Sequence, residues 1–353
     1  MPQKNEGGRE MKRKSGIGVL FVVVLAAVAV FCVAATAGAA EKQVLKLKFG
    51  NLYPPVHPFS KMTEEWMKDI EKATNGRVTF SYFPGSTLLP PMQTYDGVVK
   101  GIADGAMTLL AYSPGRLPLS EVLQQPLGYA NGYQATMLAN AYYKKFKPKE
   151  FDDVKVMFLH GAAPGYIHLR KEATSMADVK GMRIKANAEN ADIVKNLGGA
   201  PVTQPITETY DSLSKGLLDG VLLPIEALQG WKLGEVLKTT LVNLGTSYMT
   251  SLYAILNKGK WDSISPADRK AIEKINAAYA VKFGKGWVEL DKRAETWATQ
   301  KGMKFVKVSK EEVADTIEKM KPILGDYVKK MYLKGLPGEQ ALKFAQDYIK
   351  MHP

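Results

Sequence analysis

Cysteine is almost absent from this chain of 353 residues. The single one, Cys32, lies in an apolar amino-terminal run. The remainder therefore has no disulfide, no thiol nucleophile and no thiolate metal site. Phe31 just before it is too large for a lipoprotein processing site, so no lipid anchor is expected. Histidine is scarce as well. His57, His160, His168 and His352 show no metal-ligand spacing, and His160 and His168 read as packed side chains rather than catalytic ones. Local enzyme signatures are missing. Ala111 stands where a Gly-x-Ser-x-Gly elbow around Ser113 needs glycine, and Met249 does the same for Ser247. There is no His-Glu-x-x-His, no phosphate-binding loop and no dinucleotide Gly-x-Gly-x-x-Gly. These absences exclude sites written in one local motif. A carboxylate pair assembled only in three dimensions stays open.

What is present begins with an export signal. Arg9, Lys12, Arg13 and Lys14 precede an apolar run over 17–35, and Ala37-Gly38-Ala39 offers a small-residue cleavage site before charged Glu41 and Lys42. Residues 1–39 thus read as a cleavable signal, with an uncleaved anchor as the alternative. The net charge of +13 permits an anionic partner. The lysines, however, are spread through amphipathic segments, which suits a solvated surface better than a nucleic-acid face.

One stretch occurs twice. Tyr95 to Gly105 and Tyr210 to Gly220 share six of eleven positions: the Tyr, Asp, Lys, Gly, Asp and final Gly. Apolar side chains recur at helical spacing in both (Tyr95, Val98, Val99 and Ile102; Tyr210, Leu213 and Leu217). Each copy runs into an Asp-Gly, where a left-handed glycine would stop the helix, and then into a short apolar strand. A duplicated helix–turn–strand unit 115 residues apart predicts two like lobes and a cleft between them.

The remaining pattern is α/β. Residues 44–49 alternate apolar with lysine, as a strand with one wet face does. Three prolines stiffen the loop at 50–58, and 60–74 reads as a helix with Met62, Trp66, Met67 and Ile70 on one face. Strands are predicted at 77–83 and 154–160, with helical stretches around 133–147. Ala163-Pro164-Gly165 looks like a crossing into a second lobe, and 248–257 returns to the first. Ser265 and Pro266 open a long helix as N-cap and first residue, running to about Gly302 with a bend at Gly284 or Gly286. Residues 40–163 with 251–288 form the expected amino-terminal lobe. Residues 164–250 with 289–353 form the carboxyl-terminal lobe and its last helices.

The order of parts resembles the extracytoplasmic solute receptors of TRAP transporters, the dicarboxylate-receptor-like family. The matching pieces start with the signal, Asn51 through His57-Pro58, Arg77-Val78 through Tyr82-Phe83-Pro84-Gly85, and Lys100-Gly101 through Asp104-Gly105. They continue with the run from Met176 to Lys185, Leu197-Gly198-Gly199-Ala200-Pro201, Glu208 with Tyr210, and Asp219-Gly220 through Pro224. Asn257-Lys258, Trp261 and Ser265-Pro266 complete the set, which covers essentially all of the chain after the signal.

The resemblance implies an α/β, two-lobed periplasmic binding protein fold of type II-like design, each lobe a mixed sheet flanked by helices, with a long helix spanning both. It implies a periplasmic receptor that is not an enzyme. Such a receptor closes by a hinge on a small organic carboxylate; for this chain no cofactor and no metal are expected, although some relatives bridge the carboxylate with a metal, and a monomer is expected. Its partners would be the ligand and the membrane permease subunits of an ion-gradient-driven transporter, with no nucleic acid. Tyr53, His57, Tyr112, Gly165, Arg183, Lys185, Asn187, Ile206, Leu223 and Pro224 are the expected ligand-binding residues.

Departures from the family pattern bear on the ligand. The family usually places a carboxylate-binding Arg where Lys185 stands, with Arg183 here two residues earlier. Sialic-acid-type members carry a second Arg near the position of Gly165 and a polar Asn where Leu223 stands. The pocket is expected to be more apolar than theirs and to suit an aliphatic or aromatic carboxylate with few hydroxyls. Three alternatives remain: a receptor for an ATP-driven importer, a secreted hydrolase, and a sensory partner of a membrane kinase.

Overall fold

The alternation at the start of the chain becomes strand β1 (Leu45–Asn51), with Leu47 and Phe49 buried and Lys46 and Lys48 exposed. This is seen in a computed structural model that describes residues 1–3 and 44–353; the rest of the export-signal segment lies outside the described residues. Helix α1 (Pro58–Ala73) buries Phe59, Trp66, Met67 and Ile70, and His57 caps it by accepting from the Phe59 amide at 3.2 Å. Then come β2 (Val78–Phe83), α2 (Thr94–Val99), β3 (Gly105–Leu109), α3 (Gly132–Phe146) and β4 (Val154–Ala162). The second half holds β5 (Gly165–Leu169), β6 (Arg183–Lys185), α4 (Ala191–Asn196), β7 (Ala200–Val202), α5 (Thr209–Ser214), β8 (Gly220–Pro224), α6 (Glu226–Gly230) and β9 (Thr239–Val242). The chain finishes with β10 (Thr250–Asn257), α7 (Lys258–Ser263), α8 (Pro266–Gln300), β11 (Lys304–Lys307), α9 (Lys310–Leu333) and α10 (Gly338–Met351).

The strands form two mixed sheets of matching design. The first has the order β2-β1-β3-β10-β4 and the second β11-β9-β5-β8-β6-β7. Read from the other edge, β7-β6-β8-β5-β9 repeats the first sheet strand for strand. In each, one strand runs antiparallel to both neighbours: β10 between β3 and β4, and β5 between β8 and β9. That strand is the one reached on leaving the other sheet, β5 directly after β4 and β10 directly after β9. The two crossings touch, since the Gly165 amide donates to Tyr248 O at 3.2 Å and Thr246 Oγ1 to Gly165 O at 3.1 Å.

The duplicated stretch folds as the same unit twice, with one correction. The helices α2 and α5 are stopped by Gly101 (φ 75°) and Gly216 (φ 73°), which follow the lysine, and not by the glycine of Asp-Gly. Asp104 and Asp219 instead tie each unit to the parallel strand beside it. Asp104 Oδ2 accepts from the Lys48 amide at 2.7 Å, and Asp219 Oδ2 accepts from the Arg183 amide at 2.9 Å. Gly105 and Gly220 then open β3 and β8 where a side chain has no room: a Cβ at Gly105 would lie 2.8 Å from Ile255 O, and one at Gly220 would strike His168 O.

Helix α8 runs 35 residues, about 50 Å, without interruption. It packs against α1, α3 and β4 on the first-sheet side and against α6 on the second. Gly284 and Gly286 serve that packing rather than a break, lying against Thr136 and Tyr133 and against Phe59 and Met62. Arg77 forks onto Asp268 at the start of the helix at 2.9 and 2.6 Å, and Trp66 Nε1 donates to Asn276 Oδ1 at 2.9 Å. The last helix, α10, rests on α3 of the first-sheet side, where Gln134 Nε2 donates to His352 O at 2.6 Å. Among the described residues no helix is long and apolar enough to cross a membrane.

Crowding and freedom at glycine should show in stability. Gly105→Ala and Gly220→Ala are each expected to destabilise by about 1–3 kcal/mol. Gly325→Ala, on an exposed turn of α9 with open space around the new methyl, should stabilise by about 0.5–1 kcal/mol. Chemical denaturation midpoints of the three variants check both signs.

Candidate functional site

The carboxyl ends of β1, β3 and β8 converge on a cavity between the two sheets, as expected of ligand sites in α/β folds. Leu52, Tyr53, Leu109 and Ala162 wall it from the first side, and Ile206, Leu223, Pro224, Ala227 and Trp231 from the second. Thr250 of the returning crossing and Trp287 of α8 close the back, and Lys185, Asn187 and Glu226 supply the ionic and polar groups. It is small, ≈ 40 Å³. Two hydrogen bonds join the halves across it: the Ile206 amide donates to Tyr112 Oη at 2.8 Å, and His57 Nε2 meets Glu226 Oε1 at 2.8 Å.

Lys185 is the one cation in this wall and is 1% exposed. Its Nζ donates to Asn187 Oδ1 at 3.0 Å, and among the described residues its further ammonium hydrogens have no partner, nor does the buried Asn187 Nδ2. Burial pulls the Lys185 ammonium down to about 8, partly opposed by the charge of Glu189. Burial also raises the Glu189 carboxyl to about 7. At the other end, the His57 tautomer is fixed: Nδ1 accepts from the Phe59 amide, so Nε2 carries the hydrogen given to Glu226. Asp291 accepts from the Glu226 amide at 2.9 Å, and burial together with the Glu226 charge holds its carboxyl well above the usual range.

Of the ten residues expected at the site, Tyr53, Lys185, Asn187, Ile206, Leu223 and Pro224 line the cavity. His57 and Tyr112 stand one hydrogen bond behind it, on Glu226 and Ile206. Gly165 does not line it. It pairs with Pro224 across the strands, and a Cβ there would overlap the Tyr248 ring. Arg183 also lies outside. It sits at the exposed outer end of β6, forked onto Asp219 at 2.9 Å through both Nε and Nη2, and donating to Gly216 O at 2.8 Å.

Sequence reasoning missed Glu226, Trp231 and Trp287. Glu226 could have been found, as it follows Pro224 by two residues just past the strand end. The tryptophans carry no local mark. His160 and His168 are buried and held neutral by desolvation, at about 3 and about 4. A second, roomier cavity of ≈ 260 Å³ includes Glu121, Glu189, Asp192 and Asp326, with Lys330 already paired to Glu121 at 2.6 Å. Its sign disfavours an anion. Among the described residues no group of three or more His, Cys, Asp or Glu is arranged to hold a metal.

Comparison with known proteins agrees with this geometry. Residues 49–331 match the family described as bacterial extracellular solute-binding protein, family 7. The outer membrane transporter protein TsaT of Comamonas testosteroni is 26% identical over 318 residues, 88% of this chain and 94% of that protein. A marine metagenome TRAP solute binding protein specific for aromatic acid ligands, solved with metahydroxyphenylacetate, is 26% identical with a TM-score of 0.83, covering 87% of this chain and 99% of that one. A TRAP solute binding protein from Rhodoferax ferrireducens, solved with copurified benzoate, is 25% identical with a TM-score of 0.81, covering 88% and 98%. With the duplicated sheets, the cavity between them and a match over most of its length, this chain belongs to the bacterial extracellular solute-binding protein family 7, the solute receptors of TRAP transporters.

Proposed function

We propose that this receptor captures a small monocarboxylate, aromatic or aliphatic, in the cavity between its sheets and hands it to an ion-gradient-driven permease in the bacterial envelope. The observation that carries the reading is a pair of adjacent buried donor groups short of acceptors: among the described residues Lys185 has one, Asn187 Oδ1, and the Asn187 amide nitrogen has none. The Lys185 ammonium and the Asn187 amide lie in a wall that, apart from Glu226 and Thr250, is built of Leu, Ile, Pro, Ala and aromatic side chains. Buried donors left unpaired are costly, and a carboxylate satisfies both while its hydrocarbon part fills the apolar remainder. The aromatic acids bound by the two solved relatives support that class. Periplasmic location, a monomeric state and binding without turnover form part of the proposal.

Lys185→Met removes the charge and keeps the length. Affinity for benzoate should fall by about 1.5–3 kcal/mol, more than tenfold. Arg183→Met, on the outer surface, should stay within about twofold. Calorimetry giving the reverse order would move the anion site to Arg183.

A pH series gives an independent check. Below about 8 the free receptor presents a charged Lys185. Above it, binding an anion requires proton uptake, so Kd should rise by about tenfold per pH unit. Ionisation of Glu189 near 7 adds negative charge beside Lys185 and acts in the same direction. A Kd that is flat from pH 6 to 10 would remove Lys185 from the contact.

Hinge closure predicts a smaller radius of gyration in solution scattering on adding ligand. An unchanged curve with calorimetric binding on the same sample would count against it.

A further inference from the structure

Lys185 and Glu226 share one small cavity and do not pair with each other. Lys185 bonds Asn187, and Glu226 bonds His57. The strands explain the separation. Lys185 lies beside Val221 in β8, and Glu226 follows the end of that strand at Pro224. Three residues of strand alone span about 10 Å. Among the described residues, the Glu226 carboxylate accepts one side-chain hydrogen bond, from His57 Nε2. The His57 ring is fixed from behind by the Phe59 amide and stacked on Tyr53 with ring centroids 4.2 Å apart. Glu226 is 5% exposed and lines the cavity beside Trp231 and Trp287, so its remaining lone pairs have little water to turn to.

We propose that Glu226, oriented by His57, is a specificity-determining acceptor at the end of the cavity away from Lys185. It selects monocarboxylates that carry one hydrogen-bond donor on their far side and rejects dicarboxylates. The proposal rests on the carboxylate reading given above and deepens it. A hydroxyl at the far end donates to Glu226. A plain hydrocarbon end leaves a buried acceptor unpaired. A second carboxylate there places two negative groups in contact without water between them. His57 is the positioning residue, since its Nε2 hydrogen fixes which carboxylate lone pairs remain free.

Three probes of similar shape separate these cases: 3-hydroxybenzoate, benzoate and isophthalate, each titrated by calorimetry into the full-length processed receptor. The expected order of affinity is 3-hydroxybenzoate, then benzoate, then isophthalate, with each step more than about tenfold. In Glu226→Gln the amide oxygen still accepts from His57 while its NH2 turns to the cavity as a donor. The advantage of 3-hydroxybenzoate over benzoate should then shrink by about tenfold or more, and isophthalate should gain on both.

A purely structural role of Glu226, as a latch to His57, would weaken all three probes alike, and that parallel loss would overturn the proposal. Equal binding of the three by the unaltered receptor would overturn it too, even if the variant failed to fold. Absence of binding by all three would overturn the carboxylate reading itself, and the proposal with it.

Discussion

Neither sheet of this protein can be completed by a continuous stretch of chain. Each takes its one antiparallel strand from the segment that has just left the other, β5 after β4 and β10 after β9. The two crossings must therefore lie side by side, and the backbone bonds at Gly165, Thr246 and Tyr248 are the seam that results. That seam allows no side chain at position 165, because the Tyr248 ring occupies the space. It also makes the back of the cavity: Ala162 at the end of β4 and Thr250 at the start of β10, paired in register where the crossings meet the first sheet, both line it. The topology thus sets where the binding wall stands before any ligand chemistry enters.

Three histidines hold pieces of that wall. His160 Nδ1 accepts from Trp287 Nε1 at 3.1 Å, His168 Nε2 donates to Leu223 O at 2.9 Å, and His57 steadies Glu226. Desolvation keeps His160 and His168 uncharged, and as neutral rings they have one donor and one acceptor edge each. That two-sidedness suits them to fix an indole and a carbonyl in an interior where a charge would be expensive. Lys185 is the exception, a cation retained in the interior with Asn187 Oδ1 as its one acceptor among the described residues, beside an amide nitrogen that has none.

Much of the fold was legible because it is written in local signals. Alternation marked β1, periodicity marked α1, Ser265-Pro266 marked the start of α8, and the duplicated eleven residues announced the matched sheets. The misreadings share one cause, since each concerned what a residue meets from a distant part of the chain. Asp104 and Asp219 looked like helix ends, yet their role is to hold the amides of Lys48 and Arg183 on neighbouring strands. Gly284 and Gly286 looked like a bend, yet they accommodate α3 and α1. At the site, residues at strand ends such as Leu223, Pro224 and Lys185 could be placed from the chain alone. Trp287 could not, because its place depends on how a 35-residue helix is rotated against two sheets.

The position of that indole has an optical consequence. Of the five tryptophans in the chain, Trp231 and Trp287 border the cavity, and Trp287 is locked there by His160 and edge-on to Phe59 at 4.2 Å. An aromatic guest would enter the near field of both fluorophores while leaving Trp66, Trp261 and Trp297 in unaltered surroundings. The protein thus carries its own dye at the place where occupancy changes, and its emission colour reports filling of the cavity without any added label.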